Sequence, residues 1–111
     1  MTQLISRTDL ADLIEVRAVT VVDALPAPYY EQMHLPGAIN LVAEDVDAFA
    51  PDLLPDQTAP IVTYCSGATC PNSQFVATRL EGLGYTNVRK YRDGIQDWVE
   101  AGLPTETGVH A

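Results

Sequence analysis

Two hydrophobic patterns alternate along the chain. Short β-branched and aromatic runs with little alternation are typical of strands buried on both faces, and such runs occur at residues 18–23, 38–41, 61–64 and 88–91. Apolar residues at helical spacing predict helices over residues 8–15, about 75–83 and about 95–101. Strands that alternate with helices in this way predict an α/β domain with a mainly parallel central sheet flanked by helices.

Local signals refine these elements. Thr8 is the expected N-cap of the first helix. Residues 25–28 contain two prolines and are expected to form a loop, because proline fits neither a helix interior nor a central strand. Residues 46–53 have helical spacing, and we expect Pro51 to interrupt the helix there.

Length and charge exclude several classes of protein. The chain has 111 residues, 47% of them apolar, which predicts a single domain over residues 1–111 with a sizeable core. Its formal net charge of −9 argues against nucleic acid as a partner, because phosphate contacts need Lys and Arg. It has no apolar run of roughly 20 residues for a membrane helix. Acidic residues near the start argue against a signal peptide, so we expect a cytoplasmic protein with no membrane partner.

A metal site is not expected. The chain has two cysteines, Cys65 and Cys70, which are too few for a disulfide framework or a structural zinc site. The histidines, His34 and His110, are distant from both cysteines in sequence.

Cys65 is the strongest candidate for chemistry. It follows the buried run 61–64, and ligands of open parallel sheets bind at the carboxyl ends of strands. The loop after it leads into a helix N-terminus, whose free N–H groups and dipole stabilise a thiolate. Gly67 allows the loop to curl so that several N–H groups face one point. The alternative is a buried core cysteine, which small and polar neighbours disfavour.

Four stretches around Cys65 resemble a known family. They are Val21–Asp23, Met33–Asn40, Ile61–Cys65 and Tyr91–Pro104. Together, in this order, they resemble the single-domain rhodaneses, a sulfurtransferase family, and the resemblance extends from about Thr8 to Thr107. It implies the rhodanese-like α/β fold.

The resemblance also implies an activity. Cys65 would take a sulfane sulfur from a small donor as a persulfide and pass it to a thiol, to cyanide or to a protein acceptor, with no cofactor. The loop would stabilise the outer sulfur, mainly through backbone N–H groups. Its candidate binding residues are Ser66, Gly67, Ala68, Thr69, Cys70, Asn72 and Ser73. We expect Ser73 to cap the following helix.

The sequence departs from the family pattern at the active-site loop. It resembles a variant with a longer loop and a second cysteine, Cys70, and this loop carries no basic residue. A disulfide needs Cα atoms about 4.4–6.8 Å apart, and a curled loop can bring Cys65 and Cys70 within that range. Cys70 is therefore a candidate resolving cysteine, or a residue that only packs beneath the loop. Arg92, at the end of a predicted strand, is a candidate anion contact or a solvated side chain.

Three other residues are expected to be structural. His34 is expected to make a structural hydrogen bond, Asp23 to anchor a neighbouring loop through its carboxylate, and Trp98 to lie in the core.

Three other functions compete with sulfur transfer. Cys65 and Cys70 suit a dithiol–disulfide enzyme. A cysteine in an anion-binding loop also suits phosphatase or arsenate-reductase chemistry, but such loops normally carry an arginine, and this one has none. A non-catalytic binding module is disfavoured by the intact cysteine.

Overall fold

The computed structural model describes residues 2–108 and builds them around a five-stranded, all-parallel sheet. In the order β1-β5-β4-β2-β3, the strands are β1 (Gln3–Leu4), β2 (Thr20–Asp23), β3 (Ile39–Asn40), β4 (Ile61–Tyr64) and β5 (Val88–Tyr91). The helices are α1 (Arg7–Glu15), α2 (Ala27–Gln32), α3 (Val46–Leu53, preceded by a 3₁₀ turn at Ala43–Asp45), α4 (Asn72–Gly82) and α5 (Gly94–Glu100). The predicted α/β class with a parallel sheet is confirmed.

The sheet is covered by helices on both faces, which explains its continuous apolar strands. Val22 and Ile61 belong to the core cluster that includes residues of α3 and α4. Val21 and Val62 belong to the opposite cluster, which contains Trp98 of α5 as expected. Because side chains alternate across a strand, a strand buried on both faces must be apolar at consecutive positions.

Several local predictions are wrong, each because an alternative partner or packing was available. Ser6 rather than Thr8 caps α1, with its hydroxyl accepting from the N–H of Asp9. Helix α2 begins within the predicted loop. It tolerates Pro28 because this residue lies in the first turn, where a missing N–H breaks no helical bond.

Helix α3 also continues through Pro51 instead of being interrupted there. Its inner residues Val46 and Ala50 are fully buried, so packing holds this short helix despite the lost hydrogen bond. Strand β1, only two residues long, has no counterpart in the sequence prediction.

The strand order brings three strand ends together at the carboxyl edge of the sheet. β4 lies between β2 and β5, and the register pairs Tyr64 with Asp23 on one side and with Tyr91 on the other. Residues that directly follow these strands are therefore neighbours at this edge.

A buried hydrogen-bond network lies under this edge. The carboxylate of Asp23 accepts from the Tyr64 hydroxyl at 2.6 Å and from the N–H of Leu25 at 2.8 Å. The Tyr64 hydroxyl in turn accepts from the N–H of Leu35 at 3.1 Å. Burial raises the pKa of the Asp23 carboxyl, an effect that the Tyr64 and Leu25 hydrogen bonds oppose. The expected role of Asp23 in anchoring the loop after β2 matches this contact with Leu25.

We expect the Tyr64 hydroxyl to contribute measurably to stability. Tyr64→Phe removes a donor from buried Asp23 and an acceptor from Leu35, so the free energy of unfolding should fall by about 1–3 kcal/mol. The matched control is Tyr29→Phe, because Tyr29 is 59% exposed, and it should change stability by less than about 0.5 kcal/mol. Urea denaturation measures both variants. An unchanged free energy in Tyr64→Phe would contradict the prediction.

Candidate active site

Cys65 lies at the middle of the carboxyl edge. It directly follows β4, the central strand that pairs with both β2 and β5, and it is 1% exposed. On the neighbouring strands the next residues are Ala24 and Arg92. The N–H of Ala24 donates to the carbonyl of Tyr64, which ties the end of β2 to the residue before Cys65.

The loop after Cys65 closes on itself through its second cysteine. Cys65 and Cys70 form a disulfide with their Cα atoms 6.2 Å apart, inside the range expected from the loop. The N–H of Cys70 also donates to the carbonyl of Gly67 at 3.2 Å. The two sulfurs are bonded to each other, so the structure represents the oxidised form of the cysteine pair.

The start of the loop has unused backbone donors. Within residues 2–108, the N–H groups of Ser66, Gly67, Ala68 and Thr69 have no hydrogen-bond partner. The first turn of α4 follows, and the first N–H groups of a helix have no intrahelical acceptor. Such donors are what an anionic sulfur or oxygen in the loop would need.

Both ends of the loop are held by the rest of the fold. At its start, the carbonyls of Cys65 and Ser66 accept from the N–H groups of Ile95 and Gln96, each at 3.0 Å. At its end, the side chain of Asn72 donates to the carbonyl of Ala24 at 3.4 Å. The contact with Ile95 and Gln96 was not expected from the sequence, and the glycine turn at residues 93–94 was the only signal of a close approach there.

Ser73 does not cap α4, contrary to expectation. The N-cap position is Pro71, without a side-chain hydrogen bond, and Ser73 lies inside the first turn. Its side chain is buried, and its carbonyl accepts from the Thr63 hydroxyl at 3.0 Å. The start of α4 is thus tied to β4 through Thr63.

Positive charge near Cys65 is scarce. No Lys or Arg occurs between Arg17 and Arg79. Arg79 pairs with Asp47 at 3.6 Å, whereas Arg92 follows β5, is exposed, and forms no ion pair or hydrogen bond with the residues that the structure describes. Arg92 is therefore available to an anion at this edge, although no contact with the loop holds it there.

The expected structural histidine lies outside the loop. His34 is buried, stacks on Tyr30 with ring centroids 3.9 Å apart, and its Nδ1 lies 2.7 Å from the Tyr30 carbonyl. The other histidine, His110, lies outside the described residues. In residues 2–108 no cluster of three or more His, Cys, Asp or Glu side chains is arranged to hold a metal ion. Nor does that part of the chain contain a helix long and apolar enough to cross a membrane.

Comparison with known proteins identifies the family of this chain. Residues 6–101 match the rhodanese-like domain family, and the chain belongs to that family. Among solved structures, the BH2092 protein from Bacillus halodurans superposes with a TM-score of 0.87 at 25% identity, over 96% of this chain and 77% of that one.

Two relatives contain similar sequences inside longer proteins. The HTH-type transcriptional regulator Rv0324 of Mycobacterium tuberculosis is 38% identical over 106 residues, which are 95% of this chain and 45% of that protein. The adenylyltransferase and sulfurtransferase UBA4 of Candida albicans is 31% identical over 85 residues, 70% of this chain and 19% of that protein. The chain thus spans less than half the length of each of these relatives.

Proposed function

We propose that the domain is a sulfurtransferase that carries sulfur as a persulfide on Cys65. One observation carries the proposal: a cysteine at the end of the central strand precedes four backbone N–H groups, those of residues 66–69, that have no partner within residues 2–108. Membership of the rhodanese-like family supports a general sulfurtransferase role. The word sulfurtransferase in the name of the Candida albicans relative is consistent with it.

The chemistry begins with the reduced form of the loop. The Cys65 thiolate attacks the sulfane sulfur of a donor such as thiosulfate, the sulfur–sulfur bond of the donor breaks, and sulfite leaves with the bonding electron pair. The persulfide then transfers its outer sulfur to cyanide or to a thiolate, and the Cys65 thiolate is restored. The N–H groups of the loop stabilise negative charge on both forms, so no cofactor is needed.

The charge around the loop bears on which donor is used. The protein carries a net charge of −9, and the loop contains no Lys or Arg. A dianion such as thiosulfate is repelled at long range by this charge, unless Arg92 offsets the repulsion locally. We therefore favour a persulfide or another weakly charged sulfane donor, with thiosulfate as a poor substitute.

Cys70 gives the domain a second way to discharge its sulfur. Its thiolate attacks the Cys65 sulfur of the persulfide, the bond to the outer sulfur breaks, and hydrosulfide leaves while the Cys65–Cys70 disulfide forms. A thiol reductant then reopens the disulfide. The disulfide between these residues supports this route of sulfur release. It equally suits a dithiol–disulfide enzyme that carries no sulfur.

Phosphatase or arsenate-reductase chemistry is less well supported. Such loops bind an oxyanion bidentately through arginine, and residues 66–73 contain none.

We propose a small sulfane donor and a thiol acceptor, small or on a protein, in the cytoplasm. The relative from Mycobacterium tuberculosis is named as a transcriptional regulator, but the acidic surface of this domain argues against its own contact with nucleic acid.

Cys65→Ser should abolish sulfur loading completely, because it removes the only thiol at the strand end. The reduced protein is incubated with thiosulfate or a persulfide donor, and its intact mass is measured. The matched control is Cys70→Ser, which should still gain one sulfur atom. Loading of Cys65→Ser to the extent reached by Cys70→Ser would contradict the mechanism.

The resolving role of Cys70 predicts different persulfide lifetimes. Protein persulfidated on Cys65 is held without an external acceptor. Wild type should release sulfide and gain a disulfide, whereas Cys70→Ser should retain its persulfide. Sulfide release and intact mass follow both. Equal lifetimes would leave Cys70 without this role.

Salt should not weaken the use of thiosulfate. Added salt screens the long-range repulsion, with a Debye length of about 10 Å at 0.1 M, so the apparent affinity should stay constant or rise up to that ionic strength. Initial rates against thiosulfate concentration measure it. A steep loss with salt that Arg92→Gln abolishes would instead assign the anion contact to Arg92.

A further inference from the structure

Helix α5 begins against the backbone of the cysteine loop. The first N–H groups of a helix normally lack a protein partner. In α5, those of Ile95 and Gln96 donate to the carbonyls of Cys65 and Ser66, each at 3.0 Å. The start of the helix therefore holds two consecutive peptide groups of the loop in one orientation.

That orientation also determines where the loop donors point. In a trans peptide the carbonyl and the following N–H point in opposite directions, and the described residues contain no cis peptide. The Cys65 and Ser66 carbonyls face α5, so the N–H groups of Ser66 and Gly67 face away from it. These two N–H groups are among the unpartnered donors described above.

Gly94, the first residue of α5, makes this approach possible. A Cβ atom at Gly94 would lie 2.6 Å from the Cys65 carbonyl oxygen, 2.7 Å from the Gly67 nitrogen and 2.7 Å from the Ser66 carbonyl carbon. All three are backbone atoms, so no flexible side chain can move aside to make room. Any larger residue must push the loop away from α5.

We propose that Gly94 is a positioning residue for the active site: by letting α5 contact the loop backbone, it turns the Ser66 and Gly67 N–H groups toward the sulfur of Cys65. The inference rests on the proposed role of Cys65 as nucleophile. Two aligned donors stabilise the thiolate and the persulfide anion more than the neutral thiol, so their loss disfavours both anions.

A second glycine, just beyond the C-terminal end of α5, supplies the matched control. Gly94 has a φ of +69° and Gly102 a φ of +78°, so alanine is strained at both positions. A Cβ at Gly102 meets no atom within 4 Å, whereas one at Gly94 meets the loop. Comparing Gly94→Ala with Gly102→Ala therefore separates contact with the loop from backbone strain.

The test measures the Cys65 thiol pKa directly. Both glycine variants are made in a Cys70→Ser background, which leaves one thiol, and the rate of alkylation by iodoacetamide is followed against pH. Gly94→Ala should raise the pKa by about one unit toward the free value of about 8.5, and Gly102→Ala should leave it unchanged. Thermal unfolding confirms that both variants fold.

The outcomes are distinct for the two proposals. A folded Gly94→Ala protein with the pKa of its Cys70→Ser parent overturns the positioning role, as does an equal shift in Gly102→Ala. Sulfur loading is measured on the same samples. A selective pKa shift in a parent protein that accepts no sulfur would support the positioning role while contradicting the proposed function.

A second pair of variants applies if Gly94→Ala does not fold. Gln96→Pro removes the N–H that donates to Ser66, and no helical bond is lost, because Gln96 lies in the first turn. Gln96→Ala keeps that N–H and loses the same side chain as Gln96→Pro, including the Oε1 atom that lies beside Gly67. The thiol pKa should rise in Gln96→Pro alone, and equal values in the two variants would overturn the proposal.

Discussion

The parallel pairing of β4 with both β2 and β5 is the constraint on which the structure depends. It buries the central strand on both faces and so requires apolar residues at consecutive positions. It also brings the ends of three strands to one edge of the sheet, with Cys65 in the middle. The position of the candidate nucleophile is thus a consequence of sheet topology.

Polar groups are buried beneath the same edge, which is energetically unfavourable. Asp23 and the Tyr64 hydroxyl lie within the core, where burial disfavours a charged carboxylate. Their hydrogen bonds to each other and to the N–H groups of Leu25 and Leu35 offset part of this cost. The network joins the segment after β2 to β4, the strand that Cys65 directly follows, so it holds the surroundings of the site in place.

The site itself is made chiefly of backbone. Apart from Cys65 and Cys70, the loop residues would act through N–H groups rather than through charged side chains. Backbone donors have no positive charge to attract a distant anion, but they stabilise a charge already within hydrogen-bond distance. This arrangement suits an anionic sulfur covalently held on Cys65 better than the capture of free anions by a protein of net charge −9. Orientation of the loop backbone is therefore central to the proposed chemistry.

Local periodicity and turn residues were enough to predict the α/β class, the strand that precedes Cys65 and the glycine-containing loop before a helix, because these features depend on residues close together in the sequence. Tertiary structure alone decided the contact of α5 with the loop and the hydrogen bond between Tyr64 and Asp23, which are 41 residues apart. It also decided that Pro51 lies within a helix, because buried neighbours outweigh local propensity. Local patterns do not encode which distant backbone groups will meet, since that depends on how the helices cross the sheet.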